Sequence, residues 1–151
     1  MSKLVKETEN ILRQKLVDAV NAAIAAGELP DAQAAEFIIE IPSNKANGDY
    51  SSNIAMACAR CFKKAPRMIA QSIADHIDLR DTLFERVEIA GPGFLNFFLS
   101  GSYYSEILKD VFACGKDYGK SDYGQGKRVL VEFVSANPTG PMHIGNARGG
   151  A

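Results

Sequence analysis

The sequence predicts an α+β fold over residues 1–117, a small antiparallel sheet with packed helices, followed by a shorter second unit at 118–151. Two observations predict the first unit. Stretches with apolar residues at helical spacing alternate with short β-rich runs, and two such runs flank a Gly-Pro-Gly turn. Four glycines within residues 115–126 then indicate a flexible linker. We therefore place the domain boundary at this linker.

Helical periodicity is clearest over residues 4–26, where apolar side chains recur every three or four positions. Pro66 suits the first turn of another amphipathic helix, and a third helix is predicted over residues 102–113. A fourth is expected to begin near Asp49 or Ser51, because either side chain can cap a helix. The chain thus has three or four helices available to cover a sheet.

Two of the three cysteines, Cys58 and Cys61, form a C-x-x-C pair, a spacing found in zinc and redox sites. Both fall on the apolar side of a helical pattern. A structural zinc ion needs four ligands, and the remaining candidates are Cys114 and His76. Free cysteine packs as a small hydrophobe, so the sequence favours core packing for the pair and predicts no metal site.

Strands are predicted near residues 37–41, 85–90 and 94–99, where β-branched and aromatic residues are enriched. Pro42 stops the first strand, and the other two form a hairpin. A fourth strand can exist, but the sequence pattern does not place it.

Alternation along the hairpin assigns its two faces. The residues predicted to face the core are Val87, Ile89, Leu95, Phe97 and Leu99. Asn96 and Phe98 are predicted to lie on the opposite, exposed face together with Phe94, Arg86 and Glu88. Aromatic rings around an amide can hold an unstacked RNA base, because the rings stack on it while the amide reads its edge. A helix that covers Phe94 and Phe98 is the alternative.

Residues 129–134 are mostly β-branched and apolar, as expected for a strand covered on both faces. The Pro- and Gly-rich residues 137–141 end this strand, and small residues from Gly145 onward let a helix begin. The N-terminus of a helix that starts at a strand's carboxyl end is a favourable binding site for phosphate. His143 and Asn146, three residues apart, can both donate to ATP there. A histidine that merely caps a helix explains these residues equally well.

Residues 132–146 closely resemble the first signature, the "HIGH" motif, of class I aminoacyl-tRNA synthetases, and arginyl-tRNA synthetase in particular. Residues 48–56 and 91–99 are similar to two segments of that family's amino-terminal appended domain. Asn146 stands where the motif has its final histidine. Because Asn cannot carry positive charge, its share of phosphate stabilisation should be smaller.

This resemblance implies an arginine–tRNA ligase that activates arginine with ATP and Mg²⁺ and transfers it to tRNA(Arg). Residues 1–117 would be the appended domain, and residues 118–151 the linker, first strand and helix start of a truncated Rossmann-like catalytic domain. The resemblance implies catalytic roles for His143 and Asn146; ATP contacts for His143, Gly145 and Asn146; arginine contacts for Glu132, Ser135 and Asn137; and tRNA D-loop contacts for Asn96 and Phe98.

The family's second ATP-binding loop, of Lys-Met-Ser-Lys-Ser type, does not occur in these 151 residues, so this fragment alone is expected to be inactive. Two other classes stay open: a non-catalytic RNA-binding module and another HxGH-type nucleotidyltransferase. The net charge of −1 restricts any RNA surface to a local patch. Neither a membrane span nor a signal-peptide core occurs in the sequence, so we expect a cytoplasmic protein, monomeric at full length.

Overall fold

The computed structural model describes residues 3–132, 134–136 and 140–146. The chain divides into two units, Met1–Gly119 and Lys120–Ala151. The first unit is α+β, as the sequence predicts. Its elements in chain order are α1 (Lys3–Ala25), β1 (Ile39–Glu40), β2 (Tyr50–Ser52), α2 (Ile54–Ala57), α3 (Ala59–Phe62), α4 (Pro66–His76), β3 (Phe84–Ala90), β4 (Phe94–Leu99) and α5 (Gly101–Cys114).

The four strands form one antiparallel sheet in the order β1-β2-β4-β3. The predicted hairpin of β3 and β4 is confirmed, whereas the strand predicted over residues 37–41 is reduced to Ile39–Glu40. Pro42 has no N–H to donate beyond this strand. Before it, the N–H of Ile38 donates to the side-chain oxygen of Asn53 at 2.9 Å, so a side chain takes the place of a strand carbonyl.

Strand β2 is the fourth strand, which the sequence pattern does not place, and it corrects the prediction that Asp49 or Ser51 caps a helix. The Asp49 carboxylate instead accepts the N–H of Leu99 at 2.8 Å. Ser51 lies within β2 and pairs with β4. The helix begins only at Ile54, whose N–H donates to the Ser52 hydroxyl at 3.3 Å. Polar side chains at the start of β2 therefore bond across the sheet rather than to a helix end.

The hydrophobic core lies between one face of the sheet and helices α1, α2 and α4. Its largest fully buried side chains are Leu12, Leu16, Val20, Ile54, Phe62, Ile69, Ile73, Leu95 and Phe97. Cys58 is buried in this cluster and Cys61 packs against it, which confirms core packing for the pair. Burial also raises the pKa of the Cys58 thiol.

Tyr50 links the sheet to α5. Its hydroxyl donates to the Tyr103 hydroxyl, and burial together with this bond raises the pKa of Tyr50 to about 12. Both rings are almost fully buried. The start of α5 is therefore attached to the sheet, while the outward side of the helix exposes Tyr104, Leu108 and Phe112.

A glycine is required at position 48, where the chain enters β2. Gly48 has φ +85°, and a Cβ there would lie 2.7 Å from the carbonyl oxygen of Phe97. The N–H of Asp49 donates to that same carbonyl at 2.8 Å, so the backbones cannot separate without losing the bond. We expect Gly48→Ala to lower the free energy of unfolding by about 1–3 kcal/mol, measured by chemical denaturation.

Gly27→Ala is the matched control for this prediction. Gly27 also has a positive φ, +76°, but a Cβ added there would meet no atom within 4 Å. Both variants carry backbone strain, and only the first adds a collision with β4. Equal losses of stability in the two variants would contradict the role given to the close approach at Gly48.

In the second unit, the strand predicted over residues 129–134 is not formed in the residues that the structure describes. Residues 127–132 adopt no regular structure, and Val129, Leu130 and Val131 are 75%, 97% and 61% exposed. No strand of this unit pairs with them among the described residues, and a single strand has no partner for its backbone N–H and C=O groups. The predicted helix start is a single turn at residues 144–146.

Among the described residues, no helix combines the length and the hydropathy that a membrane span requires.

Candidate functional site

A row of four polar residues crosses the face of the sheet opposite the core. The strand register pairs Glu40 with Ser51, Ser51 with Asn96, and Asn96 with Glu88. Residues paired directly across antiparallel strands point to the same face. Glu40, Ser51, Asn96 and Glu88, which we name the polar row, therefore share the face opposite Phe97.

Asn96 lies on the predicted face, but the prediction that it is exposed is wrong, because only 5% of it is accessible. Strands β2 and β3 flank it on both sides, and the Ser51 hydroxyl donates to its Oδ1 at 2.8 Å. Its NH₂ group has no partner among the described residues. A buried donor that finds no acceptor costs about 1–3 kcal/mol, so this NH₂ group is available to a ligand that enters from the cavity.

The Asn96 amide lines a cavity of about 320 Å³ on this face. Its lining residues are Glu40, Pro42, Asn47, Ser51, Ala90, Gly91, Pro92, Phe94 and Asn96. Phe94, half-buried, supplies an aromatic wall. Glu40 is exposed at the edge strand, and its carboxylate has no partner among the described residues. The cavity thus offers an amide donor, a carboxylate acceptor and a ring.

Phe98 is half-buried beside the polar row, and its ring is already covered. The Arg86 guanidinium lies 3.7 Å from the ring centroid, and Arg86 Nε is 2.8 Å from the Glu88 carboxylate. A base cannot stack on that side of the ring unless Arg86 moves. The planar guanidinium can itself serve as a stacking surface, so this part of the face keeps the ability to hold a base.

Helix α4 holds the hairpin turn that forms one side of the cavity. Arg67 donates to the carbonyl of Gly91 at 3.1 Å. Gly93 lies so close to Pro66 that a Cβ at position 93 would be 3.0 Å from the Pro66 backbone. The turn is therefore fixed against the start of a helix that belongs to the core, and the core supports this wall of the cavity.

A second cavity, of about 350 Å³, lies within the second unit. Its lining residues are Ser135, Ala136, Gly140, Pro141, Met142, His143 and Asn146. It brings together Ser135, His143 and Asn146 from the predicted ATP and arginine residues. Glu132 accepts a hydrogen bond from the Ser135 hydroxyl. The last of the predicted arginine residues, Asn137, lies outside the described residues.

His143 and Asn146 use their acceptor atoms on the backbone of their own turn. Nδ1 of His143 accepts the N–H of Gly145 at 3.1 Å, and Oδ1 of Asn146 accepts the N–H of His143 at 3.2 Å. A neutral imidazole with Nδ1 as acceptor carries its proton on Nε2. Both side chains therefore keep a donor for a ligand. A Cβ at Gly145 would lie 2.9 Å from the His143 ring, so glycine leaves room for this arrangement.

Sequence patterns miss Glu40 and the bond of Ser51 to Asn96, and they place Asn96 at the surface. The run Tyr50-Ser51-Ser52 has no apolar alternation, so it gives no strand signal. Without β2 between β1 and β4, neither the burial of Asn96 nor the polar row can be anticipated.

Comparison with known proteins assigns the family. The family described as "Arginyl tRNA synthetase N terminal domain" matches residues 9–99. An arginine–tRNA ligase of Acetivibrio thermocellus is 46% identical over the whole chain, which covers 27% of that protein. One of Symbiobacterium thermophilum is 48% identical over 99% of the chain and 26% of that protein. The solved arginyl-tRNA synthetase of Thermus thermophilus aligns with 91% of the chain and 21% of its own, at 26% identity and a TM-score of 0.46.

The chain thus spans about a quarter of the length of the curated relatives that it matches. The family match includes all four strands and the polar row, and the alignments to the relatives extend into the second unit. The chain belongs to the arginyl-tRNA synthetase family and carries that family's amino-terminal domain.

Proposed function

We propose that this chain is the amino-terminal part of an arginine–tRNA ligase, in which the sheet's polar face binds tRNA(Arg) and the second unit contributes to the ATP and arginine site. The observation that supports tRNA binding most directly is the buried Asn96 amide, whose unpartnered NH₂ group lines an open cavity. In the full-length enzyme, arginine is activated to arginyl-adenylate and then transferred to tRNA.

The cavity on the sheet suits an unstacked base of the tRNA D-loop. Asn96 would donate to the base edge and Phe94 would contact its plane, because both line the cavity. The guanidinium above Phe98 lies outside this cavity and offers a separate stacking surface on the same face of the sheet. Stacking on an aromatic ring is worth about 1–3 kcal/mol per base. In this proposal, the Phe94 ring contributes binding energy by stacking, and the Asn96 amide orients the base.

The second unit is proposed to begin a Rossmann-like catalytic domain, whose remaining strands would cover residues 129–131. His143 and Asn146 would donate to ATP phosphates through the groups that their own turn leaves free. Gly145 would allow the nucleotide to approach the backbone. These residues would stabilise charge as the arginine carboxylate attacks the α-phosphate, without acting as nucleophiles.

Arginine would bind beside them. Ser135 lines the same cavity as His143, and we propose that Ser135 and Asn137 hold the amino acid's backbone groups. Glu132 accepts from Ser135 and suits the substrate guanidinium, because a carboxylate can accept two parallel N–H bonds from it. We propose that the full-length enzyme works in the cytoplasm as a monomer.

Mg²⁺ would enter as the complex with ATP, where it neutralises phosphate charge. Within residues 3–132, 134–136 and 140–146, no three His, Cys, Asp or Glu side chains are grouped so that they could hold a metal ion. We propose no metal ligands among these described residues.

Arginine-dependent ATP–pyrophosphate exchange, measured with tRNA(Arg) on the chain extended to the length of its relatives, tests the proposed activity. We expect exchange with arginine alone among the amino acids, and none from the 151 residues by themselves. Exchange driven by another amino acid would overturn the specificity. No exchange by the extended protein would favour a non-catalytic RNA-binding module, and nucleotidyl transfer without an amino acid would favour another HxGH-type enzyme.

A further inference from the structure

The carboxylate of Glu40 is unusual for a surface that binds RNA. It stands at the cavity that Asn96 lines, and it has no partner among the described residues. A negative charge facing phosphates lowers RNA affinity, so a carboxylate here works against binding unless it accepts a hydrogen bond from the ligand. Glu40 also lies on the edge strand of the sheet, where a charged residue can serve simply to prevent edge-to-edge aggregation.

We propose that Glu40 is a specificity residue for one base of the tRNA. Its carboxylate accepts an N–H of that base, and the NH₂ group of Asn96 donates to an acceptor atom of the same base. This inference deepens the proposed function and rests on it. The cavity would then select the edge of a base that presents an N–H near an acceptor atom, and its negative charge would exclude a phosphate group.

Register and bonding place the two groups for this task. Glu40 and Asn96 stand on either side of Ser51 in the polar row. Neighbouring strands lie about 4.8 Å apart, so the two backbones are about 10 Å apart, and a base edge can lie between the side chains. The Ser51 hydroxyl occupies the Asn96 oxygen. One lone pair of this oxygen is therefore in use, and the amide still has its NH₂ donor for the cavity. Among the residues that line the cavity, Glu40 is the charged acceptor, and we assign the second hydrogen bond to it.

Glu88 provides a matched control at the other side of Asn96. It belongs to the same polar row and carries the same charge. Its carboxylate, however, is paired with Arg86 at 2.8 Å, and it does not line the cavity. Replacing either glutamate by glutamine removes one negative charge from the same face. Of the two glutamates, only Glu40 is proposed to contact a base.

The test measures the affinity of the 151-residue chain for a tRNA(Arg) transcript at fixed salt. We expect Glu40→Gln to weaken binding about 5- to 10-fold, and Glu88→Gln to leave it unchanged or tighten it. A series of transcripts with single abasic positions in the D-loop then completes a double-mutant cycle. The loss caused by Glu40→Gln should disappear for one abasic position, the same one at which Asn96→Asp loses its effect.

Tighter or unchanged binding by Glu40→Gln would overturn the inference, because that is the behaviour of a solvated or edge-protecting charge. A loss that persists at every abasic position would overturn it as well. In both cases Asn96→Asp still weakens binding if the proposed function is right. If the wild-type chain binds tRNA(Arg) no better than an unrelated tRNA, that result contradicts the proposed function. It also contradicts the inference, which rests on that function.

Discussion

Replacing His143 by alanine in the full-length enzyme is expected to slow arginyl-adenylate formation about 100- to 1,000-fold, the usual cost of removing one preorganised donor from a transition state. Nδ1 of His143 accepts the N–H of Gly145, so a neutral ring keeps Nε2–H free for the proposed contact with ATP. Arginine-dependent ATP–pyrophosphate exchange measures the effect. We expect the loss to appear in kcat more than in the KM for ATP, because the donor stabilises charge that develops during the reaction.

His76→Ala is the control, since the chain has two histidines and His76 lies at the end of α4 in the first unit. Its Nδ1 lies 2.9 Å from the carbonyl oxygen of Ser72 and 3.7 Å from the carboxylate of Glu28. We expect normal exchange from this variant. Equal activity of the two variants would contradict a role for His143 in the chemistry.

Replacing Phe97 by alanine is expected to lower the free energy of unfolding by about 3–5 kcal/mol, the range for removal of a buried aromatic ring. Phe97 is completely buried, and its ring meets Phe84 edge-on at 5.8 Å between centroids. Its backbone carbonyl also accepts the N–H of Asp49. A cavity at this position would therefore weaken the centre of the sheet, and chemical denaturation measures the loss.

Phe112→Ala removes the same ring from a site that is 83% exposed on α5. We expect this variant to change stability by less than about 0.5 kcal/mol. The difference between the two losses in free energy of unfolding measures the effect of burial, since both variants replace a phenylalanine by alanine. A comparable loss from both would show that the core lies elsewhere.

The sequence predicts most of the first unit because its elements follow from local patterns. Apolar spacing and Pro66 identify α1 and α4, and the Gly-Pro-Gly turn identifies the hairpin of β3 and β4. Strand β2 has no such pattern, since its residues are tyrosine and two serines that are buried by partners from distant parts of the chain. Its position depends on tertiary pairing, which a local pattern does not contain.

The same distinction applies to the candidate sites. The alternation of β4 correctly places Asn96 opposite Phe97, but its burial depends on β2 and on the Ser51 hydroxyl. Glu40 gives no signal in the sequence, because its importance comes from the cavity it shares with Asn96. In the second unit, the motif spacing does indicate that His143 and Asn146 meet, since one turn of helix brings such residues together.

The nuclear magnetic resonance of the Asn96 side-chain NH₂ group, recorded as tRNA(Arg) is added to the ¹⁵N-labelled chain, tests tRNA binding at the sheet most directly. We predict that this signal shifts strongly and that the shift is lost with a transcript that is abasic at the contacted D-loop position. The side-chain signal of Asn10, exposed on α1, should stay in place. An unmoved Asn96 signal in a chain that has bound tRNA(Arg) would contradict binding at this face of the sheet.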